Sequence, residues 1–391
     1  MARGSWGVML AVLLTFWGVA SPASAATISV VGPKETVYDY ATMRCADGDS
    51  SDGPPRAFRD ASNRVQVWMP GTNRRMIGPS LDSLTHDCVQ VLQHHQQADP
   101  ALYDDADWLT GGYTEDGQTI HALIHAEYHG QRHPGWCPGE PFIKCRYNSI
   151  TYARSTDAGE SFDHPSGPQN MVAAIPHRYV PGDGRYGYFS PSNIVKQGSY
   201  YYALIIASAF YGEQRPGTCV LRTQDLGDPK SWRAWDGDGY NVQFIDPYRE
   251  SPEPIDRHVC QPVSHSQIKD MDRSLTYNSV LGKYVVTGTT NKYDPAQGRR
   301  VFGAYFSTSD DLIHWTDRQL LMETETLGTH MCGDPPVLVY PAILDSDSTD
   351  TRNFSTADGT AYVYFSELNY SISCILGNDR DLVRYPIQIS P

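Results

Sequence analysis

The chain has 391 residues, with 31 basic and 45 acidic side chains and a net charge of −14. That acidic balance argues against a phosphate-binding surface, so nucleic acid is not an expected partner. No stretch after the first 25 residues is long and apolar enough to span a bilayer, so a membrane is not an expected partner either.

In chain order, the first segment is "MARGSWGVMLAVLLTFWGVASPASA", residues 1–25. It carries Arg3, an apolar run from Val8 to Val19 and a small-residue Ala23-Ser24-Ala25 end, which reads as a cleavable secretory signal. The competing reading, a membrane anchor, needs an apolar run of roughly 20 residues, longer than this one. The mature chain, 26–391, is then expected to be secreted or periplasmic. It holds no Pro/Ser-rich linker and is read as a single domain and a monomer. All eight cysteines fall in it (Cys45, Cys88, Cys137, Cys145, Cys219, Cys260, Cys332, Cys374). An even count in an exported chain suits four disulfides, with Cys137 and Cys145 placed to close a local loop. None forms a C-x-x-C pair and no His is spaced as a zinc partner.

Five similar units follow: "PRAFRDASNRVQVW", "WLTGGYTEDGQTIHALIH", "YFSPSNIVKQGSYYYALIIAS", "SLTYNSVLGKYVVTGTT" and "YPAILDSD" continuing to "TADGTAYVYFS". Each is an extended segment, a turn and a β-branched or aromatic strand, with the turns at Asn63, Gly117, Gly198, Gly282 and Gly359. Between them, "STDAGESF" (155–162), "TQDLGDPKSW" and "TSDDLIHW" repeat a hydroxyl, an Asp and an aromatic, each after a short alternating strand. The Asp and hydroxyl can bond the backbone of a tight turn while the ring plugs the fold beneath it. In the later copies these positions are Thr223, Asp225 and Trp232, then Thr308, Asp310 and Trp315. A repeat of this kind predicts an all-β chain folded as a five-bladed β-propeller. One short helix is expected, at "SLTHDCVQVLQHHQQADP".

The five units and their "DL.HW"-like turns resemble five-bladed β-propeller glycosidases of the arabinanase and levanase type, glycoside hydrolase families 43 and 32 and their relatives. "STDAGESF" is similar to the Asp-box of sialidases. The resemblance runs from about residue 50 to 391 and departs from the pattern at the first blade, where "DGPPRAFRD" stands in place of an aspartate-proline. It implies a hydrolase acting on a polysaccharide or oligosaccharide, or a related propeller that binds sugar without cleaving it.

In such a blade the start of the first strand and the end of the second meet at one mouth. First-strand candidates are Asp52 and Arg56, Asp107 and Trp108, Ser190 and Asn193, Arg273 and Tyr277, Asp334 and Tyr340. Second-strand ends add His125, Glu127 and His129, then Asn291, then Glu367 and Asn369. In "HALIHAEYHG", alternation puts His125, Glu127 and His129 on one face. A carboxylate flanked by imidazoles suits acid-base work, against the competing readings of a hydrogen-bonded strand end or a metal site without a fourth ligand.

Glycoside hydrolysis needs two carboxyl groups, one to protonate the leaving oxygen. The expected donor is Glu127, partnered by Asp52 or Asp107, with Glu367 as the alternative acid. Arg56 is expected to fork onto a sugar hydroxyl or carboxylate, and Trp108 and Tyr340 to stack on sugar faces. His125, His129, Asn193 and Arg273 complete the expected binding set. Arg59 and Asp60 are expected to form a structural salt bridge near the far face. A sialidase-like enzyme ranks third, because only Arg56 and Arg273 start strands at the mouth. No cofactor or resident metal is assigned, with calcium in the channel as the open alternative.

Overall fold

A computed structural model describes Met1 and residues 26–209, 212–325, 327, 329–348, 350 and 352–391. Apart from Met1, the expected secretory segment lies outside the described residues. Among those residues no helix is long and apolar enough to cross a membrane.

The described chain is all-β and falls into five antiparallel units. The first pairs Arg56–Arg59, Val65–Met69, Arg74–Ser80 and Ser83–Asp87 in order. The second pairs Ala106–Tyr113, Ile120–His129, Arg146–Ser155 and Met171–Ala173. The third is built from Tyr186–Phe189, Val195–Gln197, Tyr200–Ser208, Gly217–Thr223 and Arg233–Ala234. A two-residue parallel register, Tyr186 to Tyr147 and Gly187 to Asn148, joins it to the second. The fourth contains Ser274–Asn278, Lys283–Asp294, Arg299–Ser309 and Gln319–Glu323. In the fifth, Val337–Leu344, Thr360–Tyr370 and Leu376–Ser390 are followed by a strand from the other end of the chain, Thr27–Val30.

Alternation explains these strands: one set of side chains faces the next sheet and forms the core. Phe58 and Trp68 of the first unit meet Leu109, Ile120 and Ile124 of the second and Phe162 beyond it. A Cβ on Gly112 would lie 2.6 Å from the Trp68 ring, so a glycine permits this approach. Side chains also tie each unit to its neighbour. Asn73 brackets the second unit, donating to Asp107 O at 2.7 Å and accepting from Leu109 N at 3.0 Å. Asn193 does the same between the third and fourth units, at Leu275 N and O. Thr287 Oγ1 donates to Pro341 O at 2.8 Å, linking the fourth to the fifth, and the Ser51 and Ser366 hydroxyls, 3.0 Å apart, link the fifth back to the segment entering the first.

Four of the five expected turn residues have positive φ: Asn63, Gly117, Gly198 and Gly282. In the first hydroxyl/Asp turn, Ser155 Oγ accepts from Gly159 N at 2.8 Å and Asp157 Oδ1 from Ser161 N at 3.0 Å, above the buried Phe162. In the third, the residues that close the turn are shifted by one from those expected. Ser309 and Asp311 bond the backbone, whereas Asp310 points out to Lys283.

Three further expectations are corrected. The segment expected as a helix is instead the strand Ser83–Asp87 followed by irregular chain, held by pairing to Arg74–Ser80 and by the Cys45–Cys88 disulfide. Asp60 takes its salt bridge from Arg64, at 2.7 Å, a residue on the returning side of the turn. Asp334 lies in a turn before Val337–Leu344, capping Met331 N, so it does not start that strand. All eight cysteines are paired: Cys45–Cys88, Cys137–Cys145, Cys219–Cys260 and Cys332–Cys374.

Candidate functional site

The strand ends converge on a cavity of about 830 Å³. Asp52, Trp108, His125, Glu127, His129, Ser190, Arg273 and Tyr340 from the expected set line it. His125, Glu127 and His129 share one face of Ile120–His129, as alternation requires, and all three are buried. Trp108 lies opposite His125 in the register, its ring 5.7 Å from the His125 ring and 6.2 Å from that of His129.

Glu127 is held on both oxygens. His129 Nε2 lies 2.8 Å from Oε2, Arg146 Nη1 2.7 Å from Oε1, and Arg185 Nη2 3.5 Å from Oε1. Burial alone would push this carboxyl up. The His129 hydrogen bond, the charge that His125 takes up in acid and the charges of Arg146 and Arg185 outweigh it and hold the group well below the usual carboxylate range. Glu127 is therefore an ionised anchor in the free protein, which conflicts with the expected role of proton donor. Burial pushes the His125 imidazole down to about 4, so it is neutral at pH 7, its Nε2 2.9 Å from Asn148 Oδ1. At the rim Asp52 pairs with Arg380 and accepts from the Tyr340 hydroxyl at 3.2 Å. Arg273 lies over the Tyr340 ring, 5.1 Å from its centroid.

Tyr277, Asn291, Asp334 and Asn369 of the mouth candidates do not line this cavity, and neither do four of the residues expected to act in catalysis or binding. Asp107 precedes Trp108 on the same strand, so the two face opposite sides, and Asp107 is wholly buried behind the wall. Glu367 likewise precedes the lining residue Leu368; its oxygens take Lys34 Nζ at 2.8 and 2.9 Å on the reverse face. Arg56 is buried and donates to backbone carbonyls of Pro55, Thr110 and Pro191, three points on three units. Burial pushes its pKa down to about 9, against the pull of the Asp272 carboxylate. Asn193 is spent on the bracket to Leu275.

The lining also contains residues that were not anticipated: Arg132, Arg146, Arg185, Arg380, Asp270 and Phe189. Arg146 begins the third strand of its unit, Arg185 precedes the first strand of the next, and Arg380 lies on the long strand Leu376–Ser390. Third strands run from the same mouth as first strands, so the start of the strand Arg146–Ser155 is the sequence signal that marks Arg146. With Arg273, five arginines face three carboxylates, Asp52, Glu127 and Asp270, in a chain whose overall charge is −14. Arg132 is exposed and makes no ion pair with any described residue. Behind Arg273, burial pushes the Asp272 carboxyl up to about 7 against the pull of Arg273 and Arg56. Asp272 does not line the cavity.

No protein-family model and no curated protein matches the chain. Among solved structures it is similar to a thermostable family-43 glycoside hydrolase, at 10% identity and TM-score 0.46 over 89% of this chain and 96% of that one. It is also similar to an alpha-L-arabinofuranosidase from Lactobacillus brevis, at 8% identity and TM-score 0.48 over 86% and 90%. A third likeness is to the Cellvibrio cellulosa alpha-L-arabinanase complexed with arabinohexaose, at 10% identity and TM-score 0.46 over 85% and 91%.

Proposed function

We propose that the protein is an exported carbohydrate-active protein of the glycoside hydrolase type, and that its cavity recognises a saccharide bearing carboxylate groups. Four disulfides support the export reading. The ties from each unit to the next, and from the fifth to the first, support a closed five-bladed ring in one domain. The observation that carries the substrate class is the excess of arginines over carboxylates in the cavity lining, beside the faces of Trp108, Phe189 and Tyr340. Guanidinium groups fork onto carboxylates, and aromatic rings cover the apolar faces of sugars.

Recognition is favoured over cleavage. Hydrolysis needs one protonated carboxyl at the bond, yet Glu127 and Asp52 are both held by arginines. Cleavage stands as the second reading because three carboxyl groups from different units line one cavity, and Asp270 among them is exposed and makes no ion pair with any described residue.

The test is calorimetric titration with an oligouronate and with a neutral oligosaccharide of equal length, together with chromatography of released sugars. The oligouronate is expected to bind at least about tenfold more tightly, to weaken with added salt, and to lose about tenfold or more in Arg273→Ala. Equal affinity for the charged and neutral sugars would overturn the substrate class. Release of short sugars that stops in Asp270→Asn would establish the second reading.

A further inference from the structure

On the reverse of the strand that presents Trp108, three buried side chains converge. Asp104, Asp107 and His164 are 2%, 0% and 5% exposed, and each offers a ligand atom within 4.8 Å of the others. Asp107 reaches the cluster from Ala106–Tyr113, Asp104 from the turn before it, and His164 from the segment that follows the 155–162 turn. Both Asp107 oxygens and His164 Nδ1 are buried without a hydrogen-bond partner among the described residues. Asp104 is ion-paired only to His95, and Asp107 to none of the described residues. Two adjacent buried carboxyl groups that make no ion pair with a lysine or arginine among the described residues call for a positive charge or a shared proton.

We propose that Asp104, Asp107 and His164 hold a divalent transition-metal ion, Zn²⁺ or Mn²⁺, as a structural site behind the cavity wall. Two carboxylate oxygens and one imidazole nitrogen match these ions, whereas Ca²⁺ takes six to eight oxygen ligands. The surrounding contacts orient the donors. Asp104 accepts from His95 N at 3.0 Å, its Oδ2 lies 2.5 Å from His95 Nδ1, and the Ser166 hydroxyl donates to the same oxygen. His164 Nε2 lies 2.9 Å from Thr151 Oγ1; with that nitrogen donating, Nδ1 keeps its lone pair for the metal. His95, with 51% of its side chain exposed, covers the cluster from the solvent side. The ion would pin the residues just before the strand and the 163–170 segment to the strand that sets Trp108, and it takes no part in the cavity's chemistry.

The test uses the whole protein, purified without chelator or metal-affinity resin. Metal content is read by mass spectrometry, and the melting temperature is followed after stripping with dipicolinate and after adding back single metals. About one Zn or Mn per chain is expected. Stripping should lower the melting temperature, with recovery on Zn²⁺ or Mn²⁺ and none on Ca²⁺. Asp107→Asn should lose both the metal and the recovery, and His164→Gln should weaken binding at least about tenfold. A wild-type protein that carries no metal and does not respond to Zn²⁺ or Mn²⁺ would overturn the site. So would Asp107→Asn retaining as much metal as wild type, since the ion would then be bound elsewhere. An Asp107→Asn variant melting at or above the wild type as purified would instead identify two acids sharing a proton. Should that variant not fold, the strip-and-restore cycle on wild type and the His164→Gln titration decide.

Discussion

Arg146 is the register partner of His129, yet its guanidinium reaches diagonally across the strand pair to Glu127 Oε1 at 2.7 Å, while His129 takes the other oxygen at 2.8 Å. The carboxylate is thus clamped by both members of one cross-strand pair.

Glu127→Gln keeps the shape of the side chain and removes its charge. Arg146 and Arg185 are left facing each other around a neutral amide. A loss of about 1.5–3 kcal/mol is expected in urea unfolding, the range for hydrogen bonds to charged groups. An unchanged midpoint would show that the clamp contributes nothing to the fold.

Acid should destabilise the protein in two steps. His125 has a folded value of about 4 against an unfolded value near 6.5. Between these values the unfolded chain binds the extra proton, so stability is full above about 6.5 and falls as pH drops toward 4, by of order 3 kcal/mol. Glu127 acts lower: its folded value is depressed, so its contribution is present above about 4.3 and is lost as pH falls below that. His125→Gln should flatten the first step, seen as the difference between variant and wild-type urea midpoints from pH 4 to 7. Parallel curves would count against a neutral buried His125.

Trp108 donates its indole N–H to Gly71 O at 3.2 Å, which fixes the ring at the cavity wall. Trp108→Phe keeps an aromatic face and should cost the saccharide about 1 kcal/mol, while Trp108→Ala should cost more. Intrinsic fluorescence should change on titration with the sugar in wild type. Identical affinities in all three proteins would remove Trp108 from the binding surface.

The disulfides should differ in weight. Cys219–Cys260 closes a separation of 41 residues and Cys137–Cys145 one of 8. Loop-closure entropy gives about 4 kcal/mol for the first and about 2.5 for the second. Paired Cys→Ala variants compared by urea unfolding should keep this order.

The five units, their turns and the His125-Glu127-His129 face were legible because each rests on local periodicity. Two of the errors share a physical cause. Asp107 and Glu367 each stand one residue away from the lining residues Trp108 and Leu368, and a one-residue difference on a strand reverses the face. Parity is visible in the sequence only when one residue of the strand is already assigned to a face. The role of Arg56 is illegible for another reason: a long cation at a strand start suits a ligand or three backbone carbonyls equally well, and only the neighbouring units decide. The arginines at the cavity come from strands and loops spread between positions 132 and 380, so no short motif joins them. The Asp104, Asp107 and His164 cluster is likewise spread over two loops and a strand.

The edge strand Thr27–Val30 hydrogen-bonds to Leu376–Ser390, with Thr27 and Ser390 in register 363 positions apart. A ribosome adding about 5–20 residues per second makes Thr27 wait roughly 20–70 s for that partner. Through that interval the strand Thr27–Val30 has no partner, and an unpaired strand invites pairing with another chain. The seam that fastens the finished molecule is therefore where a half-made copy is most exposed to its neighbours. Crowding of nascent chains, rather than heat, is the stress this topology meets first.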